Sequence, residues 1–491
     1  MRVSGAGVTQ LAPQDAEFVY SESSRHRSNI VVVYLFDTSA EAAPLTEPEA
    51  IAWMRARLGH AGMFTRRLRR VPLDLDLPYW APDPRMNLRD HVHVSPAEAP
   101  GWDPLRRQIS RIADAPIDLT RPPWELHFIT GVTTRERGLR RDPISAGDPD
   151  RMTAAVLKFH HSAGDGIATR DLGRRLFGPD TSHPPVPTRP RDWSTATAVT
   201  RALASLPVQC LRFRRGLAAA GAADERIRAE VADGTIVEPA LSRPSCRFNR
   251  PISAELTFDL VILPGDQIRA AQAAADGATV NDVMLATISG ALRTYLSEQD
   301  ESPDGSLAAM VPMSLRGTGK GVADGPEGPR ATHLALMAVD LHTDIGDPVD
   351  RLRAIGASTR LEKQRSRNEH VRRSARRIES SPALLLRLAG RAKAFKDHSG
   401  PTVERYNTMI SNVPWAGDDL LLRSAPLVRT FGILEILDGS GLRHLIVSSR
   451  GDGVAVSFST DAAMMPDTDR YRDLLRDSLR DLAEPAREVG I

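Results

Sequence analysis

The sequence predicts a mixed α/β (α+β) protein folded as two lobes, on three observations. Strand-like and helix-like periodicities alternate along the whole chain, a proline-dense stretch from Pro179 to Trp193 interrupts them, and 491 residues exceed what one hydrophobic core accommodates. A hydrophobic share of 41% beside a charged share of 26% fits a globular chain with a large interior. The predicted organisation is an N-terminal lobe over 1–185, a helical connector over 186–240 and a C-terminal lobe over 241–491.

In the first lobe, the Val- and Ile-rich run Ser28 to Phe36 reads as a strand, Ala50 to Leu58 as a helix, and Leu105 to Ala113 as a helix that ends before Pro116. The basic run Thr65 to Arg70 reads as a solvated face. Trp124 to Gly131 and Thr153 to Phe159 read as neighbouring strands, joined by a charged loop from Thr133 to Arg151. The connector is helical from Thr195 to about Val231. Strand Glu255 to Leu263, helix Gly265 to Ala275, a longer helix from Val280 and strand Ala308 to Met313 open the second lobe. Further strands are expected near Leu334 to Leu341, Tyr406 to Asn412, Leu427 to Ile436, His444 to Arg450 and Gly453 to Thr460, then a helix after Asp467.

Composition narrows the function classes. Sixty-four basic and 62 acidic residues leave a net charge of +2, so no nucleic-acid surface is indicated. Only Cys210 and Cys246 occur and no Cys/His cluster has zinc-ligand spacing, which predicts a cytoplasmic protein without structural disulfides or a metal. No apolar run approaches the ~20 residues of a membrane span, and the N-terminus lacks a signal-peptide pattern. Two basic amphipathic stretches, Pro207 to Arg228 and Val371 to Lys396, suit peripheral contact with the inner membrane face or a lipid droplet.

The chemistry concentrates in Lys158-Phe159-His160-His161-Ser162-Ala163-Gly164-Asp165-Gly166, where a strand ends. A helix follows, signalled by Ala168, Leu172 and Leu176 and stopped by Gly178-Pro179. Neutral imidazole, with an ordinary pKa near ~6.5, can take a proton from an alcohol attacking a thioester and return it afterwards. His161 is the candidate base. Asp165 could hold the turn through a charge-assisted contact, and Gly166 would permit a backbone approach that a Cβ blocks. From the residues alone the competing reading is that one histidine packs and the other caps the turn.

These residues resemble the HHxxxDG motif of the bacterial wax ester synthase/diacylglycerol acyltransferases, and the resemblance spans nearly the whole chain. Leu11-Ala12-Pro13-Gln14-Asp15-Ala16, with Phe18 in register, is similar to the family's LSPxDxxF opening. Phe64-Thr65-Arg66-Arg67-Leu68 and Trp80 continue it, and Pro122-Pro123-Trp124-Glu125 is similar to its PLW signature. Thr279-Val280-Asn281-Asp282-Val283, Val311-Pro312-Met313-Ser314-Leu315-Arg316 and Ser411-Asn412-Val413-Pro414 resemble its ND, VPxSLR and SNVPG segments in the same order. The resemblance implies a chloramphenicol acetyltransferase-like fold: two lobes with mixed sheets and a tunnel between them. It implies His161 as general base, with His160 and Asp165 orienting it, and Asp165 facing Arg316. The activity implied is esterification of diacylglycerol or a long-chain fatty alcohol by acyl-CoA, a co-substrate rather than a cofactor.

Further positions carry two readings each. Thr279 and Asp282 form a capping-box pattern ahead of the stripe Leu285, Ile288, Leu292 and Leu296, yet the resemblance also places Asn281 and Asp282 in substrate binding, with Arg316. Trp124 fits either a substrate channel or the core. Pro123, Trp415 and Ala331-Thr332-His333 depart from the family pattern, which keeps a specialised-metabolite acyltransferase or condensation-type enzyme in view. A silent lipid- or CoA-binding protein is the third reading, opposed by the intact His161, Asp165 and Gly166. Nothing in the residues fixes an oligomeric state.

Overall fold

Two strands buried along almost their entire length, Asn29–Asp37 and Met152–His160, form the centre of a six-stranded sheet. The computed structural model describes residues 8–23, 25–133, 149–164, 166–179, 193–238, 242–253, 255–314, 334–395, 404–413, 419–449 and 453–488. A strand covered on both faces needs an unbroken apolar run, which is why these two were readable as strands without polar alternation. The sheet order is Leu421–Leu422, Ala425–Ile433, Asn29–Asp37, Met152–His160, Trp124–Val132 and Val92–Pro96.

One face carries Ile30, Val32, Tyr34, Leu157 and Phe128, packed under helices Glu47–Arg55 and Gly166–Phe177 through Met54, Leu176 and Phe177. The opposite face carries Val31, Val33, Ala154 and Val156 against Leu105 and Ile109 of helix Trp102–Asp114, and against Phe258 and Leu260 of the second lobe. The expected basic face at Thr65 to Arg70 is a correction: Arg66–Arg69 is a strand in a small sheet with Tyr79–Pro82 and Thr9–Gln10. Both faces of this strand are covered at its centre: Leu68 is buried, and Arg67 is 9% exposed with its Nε 3.5 Å from Asp83 Oδ1.

The second sheet runs Leu334–Asp340, Ala308–Ser314, Thr408–Val413, Leu442–Ser449, Gly453–Asp461 and Leu256–Pro264. Helices Gly265–Ala273, Val280–Glu298, Pro348–Arg367 and Thr468–Glu488 build its core through Leu285, Ile288, Leu292, Leu352 and Leu475. Between the lobes runs helix Thr195–Ala232, 38 residues and therefore about 57 Å long. Ala198, Ala202, Ala220 and Ala223 are its buried residues.

The sequence-based partition places residues 241–491 in the second lobe, yet Ala425–Ile433 pairs antiparallel with Asn29–Asp37 in the first sheet. Gly432 makes that crossing tight, since a Cβ there would come within 2.5 Å of Leu445 and 3.0 Å of the Val31 carbonyl. A second tie is charged. Asp259 of the second lobe, 1% exposed, accepts from Trp102 Nε1 at 2.7 Å and from Arg472 Nη1 at 2.9 Å.

Candidate active site

The turn after strand Met152–His160 is written by His160 itself. His160 is fully buried, and its Nδ1 accepts the Ser162 backbone N–H at 3.2 Å while lying 2.6 Å from Ser162 Oγ. An N–H can only donate, so Nδ1 is the acceptor and the neutral ring holds its proton on Nε2. That nitrogen lies 3.5 Å from Glu22 Oε2, at ion-pair distance. The His161–Ala163 segment forms a 3-10 turn, and the His161 backbone N–H donates to the Ser28 carbonyl at 2.7 Å. The His161 ring stacks on Phe18, with centroids 3.8 Å apart and planes 16° from parallel. His160 therefore serves as the cap, and half-buried His161 is the histidine presented from the turn.

Beneath this turn sits a closed ionic cluster. Lys158, two residues back on the same strand face, is 0% exposed and donates from Nζ to Glu125 Oε2 at 3.0 Å, and His127 Nε2 lies 2.9 Å from the same oxygen. Burial alone would raise the Glu125 carboxyl; the hydrogen bond from His127 and the charge and hydrogen bond of Lys158 outweigh it and bring it down to about 2. Burial pushes Lys158 below its ordinary value, opposed by Glu125. Because folding depresses Glu125, its stabilisation is complete above the unfolded value of 4.5 and disappears as pH falls through about 2. The linked stabilisation is about 3 kcal/mol. Glu125→Gln is expected to flatten the acid limb of stability across that window, as read by unfolding at a series of pH values.

Next to Asn29, which pairs with His160, the described residues bound a small open depression between the lobes. Arg25, Arg27 and Asn29 line one side, Asp114 sits at the end of a helix, and Leu256 and Ile433 face them. Burial pushes the Asp114 carboxyl up, against the pull of Arg27 and Lys158.

The remaining predicted residues divide. Asp282 closes the helix start: its Oδ2 accepts the Thr279 backbone N–H at 2.9 Å and the Thr279 hydroxyl at 2.7 Å, the capping reading. Asn281 beside it is half-buried, at the N-terminus of Val280–Glu298. Trp124 goes to the core rather than a channel. It is 0% exposed, donates to the Phe64 carbonyl at 3.2 Å, and stacks on His91 with centroids 4.9 Å apart. Gly166 opens helix Gly166–Phe177. Asp165 and Arg316, and with them their expected pairing, lie outside the described residues, as do 134–148 of the Thr133 to Arg151 loop and the Ala331-Thr332-His333 departure. Among the described residues no three His, Cys, Asp or Glu side chains gather as metal ligands. Glu22 and Ser28 were not singled out from sequence.

Comparison with known proteins places the chain in one family. The wax ester synthase/diacylglycerol acyltransferase catalytic-domain model matches residues 11–139 and 144–284, and the C-terminal-domain model of the same group matches 332–483. A Mycobacterium tuberculosis protein provisionally named a diacylglycerol O-acyltransferase is 30% identical over 98% of this chain and 100% of its own. The solved wax ester synthase/diacylglycerol acyltransferase of Marinobacter aquaeolei VT8 superposes with a TM-score of 0.65 at 24% identity, covering 98% of this chain and 100% of that one. A trichothecene 15-O-acetyltransferase of Fusarium sporotrichioides shares the fold at a TM-score of 0.59 and 14% identity, over 98% of this chain and 96% of that one.

Proposed function

From the premise that the chain belongs to the wax ester synthase/diacylglycerol acyltransferase family, we propose that His161 is the base of an acyl-CoA-dependent esterification. The protein is an O-acyltransferase that forms triacylglycerol or wax ester from acyl-CoA and a lipid alcohol. The observation that carries the assignment is the division of labour at the turn: His160 is spent on capping it, and the ring of His161 is the one presented. The imidazole takes the hydroxyl proton as the alcohol oxygen attacks the thioester carbonyl. The tetrahedral intermediate collapses, the C–S bond breaks, and the imidazolium returns the proton to the CoA thiolate. Ester and free CoA leave, with no covalent enzyme intermediate. Asn281 and Arg316 are assigned to substrate contact, and Asp165 to orienting His161.

The test is ester formation from palmitoyl-CoA with hexadecanol or diacylglycerol, followed as free CoA release against a water-only control. Ester with either alcohol names the acceptor; CoA release that neither alcohol stimulates sends the reading to a non-lipid acceptor.

Lipid substrates require an interface, and we assign it to helix Ala383–Phe395 with the neighbouring part of Thr195–Ala232. No helix among the described residues is long and apolar enough to cross a membrane. Leu384, Leu385 and Leu388 are 41–51% exposed on one helix, and Leu203, Val208 and Leu211 are 47–53% exposed on the other. Exposed Arg212, Arg214, Arg215 and Arg391 flank them, a pattern complementary to an anionic bilayer. Flotation with phosphatidylglycerol vesicles should recover the protein, and Leu384→Ser with Leu388→Ser should cut the bound fraction by about 10-fold or more.

A further inference from the structure

The helix Pro13–Ser21 and the residue that follows it touch both histidines of the turn. Phe18 lies in the last turn of that helix, and Glu22 is the residue at which the chain leaves it in an extended conformation. Phe18 stacks face to face on the His161 ring at 3.8 Å, and Glu22 Oε2 lies 3.5 Å from the Nε2 of His160. Of the second contact, His160 Nε2 is a buried polar atom without a hydrogen bond in the described structure, and so is the other Glu22 oxygen, Oε1. The same helix is stitched to the turn by Ser28, whose hydroxyl donates to the Phe18 carbonyl at 3.3 Å and whose carbonyl accepts the His161 N–H. On its far side the helix cannot drift, because Gly390 packs directly on the Tyr20 carbonyl, leaving no room for a Cβ.

We propose that Phe18 and Glu22 are positioning residues for the acyl transfer, Phe18 holding the plane of the base and Glu22 the cap on which that base stands. The inference rests on His161 being the base. When His161 takes the alcohol proton it becomes a cation lying flat on an aromatic face, where the ring quadrupole stabilises the imidazolium over the neutral ring. The Glu22 carboxylate faces Nε2 of His160 at 3.5 Å, where its charge favours the tautomer with the proton on Nε2 and Nδ1 free to cap the turn. Its negative charge adds to the same preference one residue away from the base. Both residues therefore favour the protonated form that exists only after proton transfer has begun, which is a contribution to kcat rather than to acyl-CoA affinity.

The experiment measures kcat, KM for palmitoyl-CoA and the pH dependence of kcat/KM for wild type, Phe18→Leu, Phe18→Trp, Glu22→Gln and His161→Ala. Phe18→Leu is expected to lower kcat about 5- to 30-fold, leave KM within about two-fold, and move the acid limb to lower pH by roughly half to one unit. Phe18→Trp should restore kcat to within about three-fold, since a tryptophan face serves the cation equally well. Glu22→Gln should shift the limb the same way. An inactive His161→Ala beside unmoved acid limbs in Phe18→Leu and Glu22→Gln overturns the proposal and leaves the base assignment standing. A loss in Phe18→Leu that tryptophan does not recover, with the limb unmoved, reduces Phe18 to packing and overturns it as well. Activity surviving in His161→Ala removes the base assignment itself. If Phe18→Leu does not fold, Phe18→Trp and the near-isosteric Glu22→Gln decide the matter between them.

Discussion

His161→Ala is expected to fold as wild type does and to lose at least about 100-fold in ester formation, the usual contribution of a positioned general base. Folding should survive because the His161 side chain is half-buried at the start of a short turn, and the turn's backbone bond to Ser28 does not involve the imidazole. His160→Ala should behave differently. That ring is fully buried and is the acceptor that caps the turn, so its removal is expected to lower stability as well as rate. Parallel measurement of thermal unfolding and CoA release separates the two: a rate loss without a stability loss belongs to His161, and both losses together belong to His160. Equal stability losses in the two variants would contradict the division of labour.

The second large effect is expected at the seam between the lobes. Arg472→Met leaves Asp259 buried with its cation gone, and breaking a buried pair in this way costs about 3–5 kcal/mol. Burial already pushes the Asp259 carboxyl up to about 6, against the pull of Arg472, the Leu260 backbone N–H and Trp102. A carboxyl raised on folding is relieved by protonation, so the penalty it imposes is greatest above its folded pKa and falls as pH drops toward the unfolded value of 3.8. The deficit of Arg472→Met should therefore be largest above pH 6 and shrink on acidification, over a higher pH window than the one in which the Glu125 contribution is lost. Guanidinium unfolding at pH 7.5 and pH 5 checks the direction; a deficit that grows on acidification would show that Asp259 stays charged in the variant.

Much of the architecture was legible because central strands write themselves plainly. The predicted strands Ser28 to Phe36 and Thr153 to Phe159 differ from Asn29–Asp37 and Met152–His160 by a residue at either end, and the connector helix Thr195–Ala232 extends its prediction by one. Edge elements were harder. Val92–Pro96 was not anticipated, since the alternation Val92-His93-Val94-Ser95 lasts only four residues before a proline ends it. Arg66–Arg69 was misread because charge dominated the reading, whereas the burial of Arg67 and Leu68 depends on packing against a partner strand and neighbours distant in sequence. At the site, the two histidines were visible as a motif, but Glu22 was not: a lone glutamate at a helix end has no local feature that marks it as facing a residue 138 positions later. Asp282 and Trp124 illustrate the reverse case, where the local chemistry of a cap and of a large apolar ring already explained the residue.

The strand Ala425–Ile433 has a consequence for how the molecule comes into being. Its register against Asn29–Asp37 sets Leu427 beside Phe36 and Ile433 beside Val31. During synthesis the flank of Asn29–Asp37 must wait, unpaired, until nearly four hundred further residues have left the ribosome, and that flank is an apolar edge of the kind that recruits other chains. A fragment ending before Ala425 would keep the histidine turn and the whole catalytic strand, yet it would carry that edge permanently. Expressing the N-terminal lobe alone should therefore give aggregates rather than a smaller folded unit, and a supplied 419–449 segment is the piece of chain that would have to cover it.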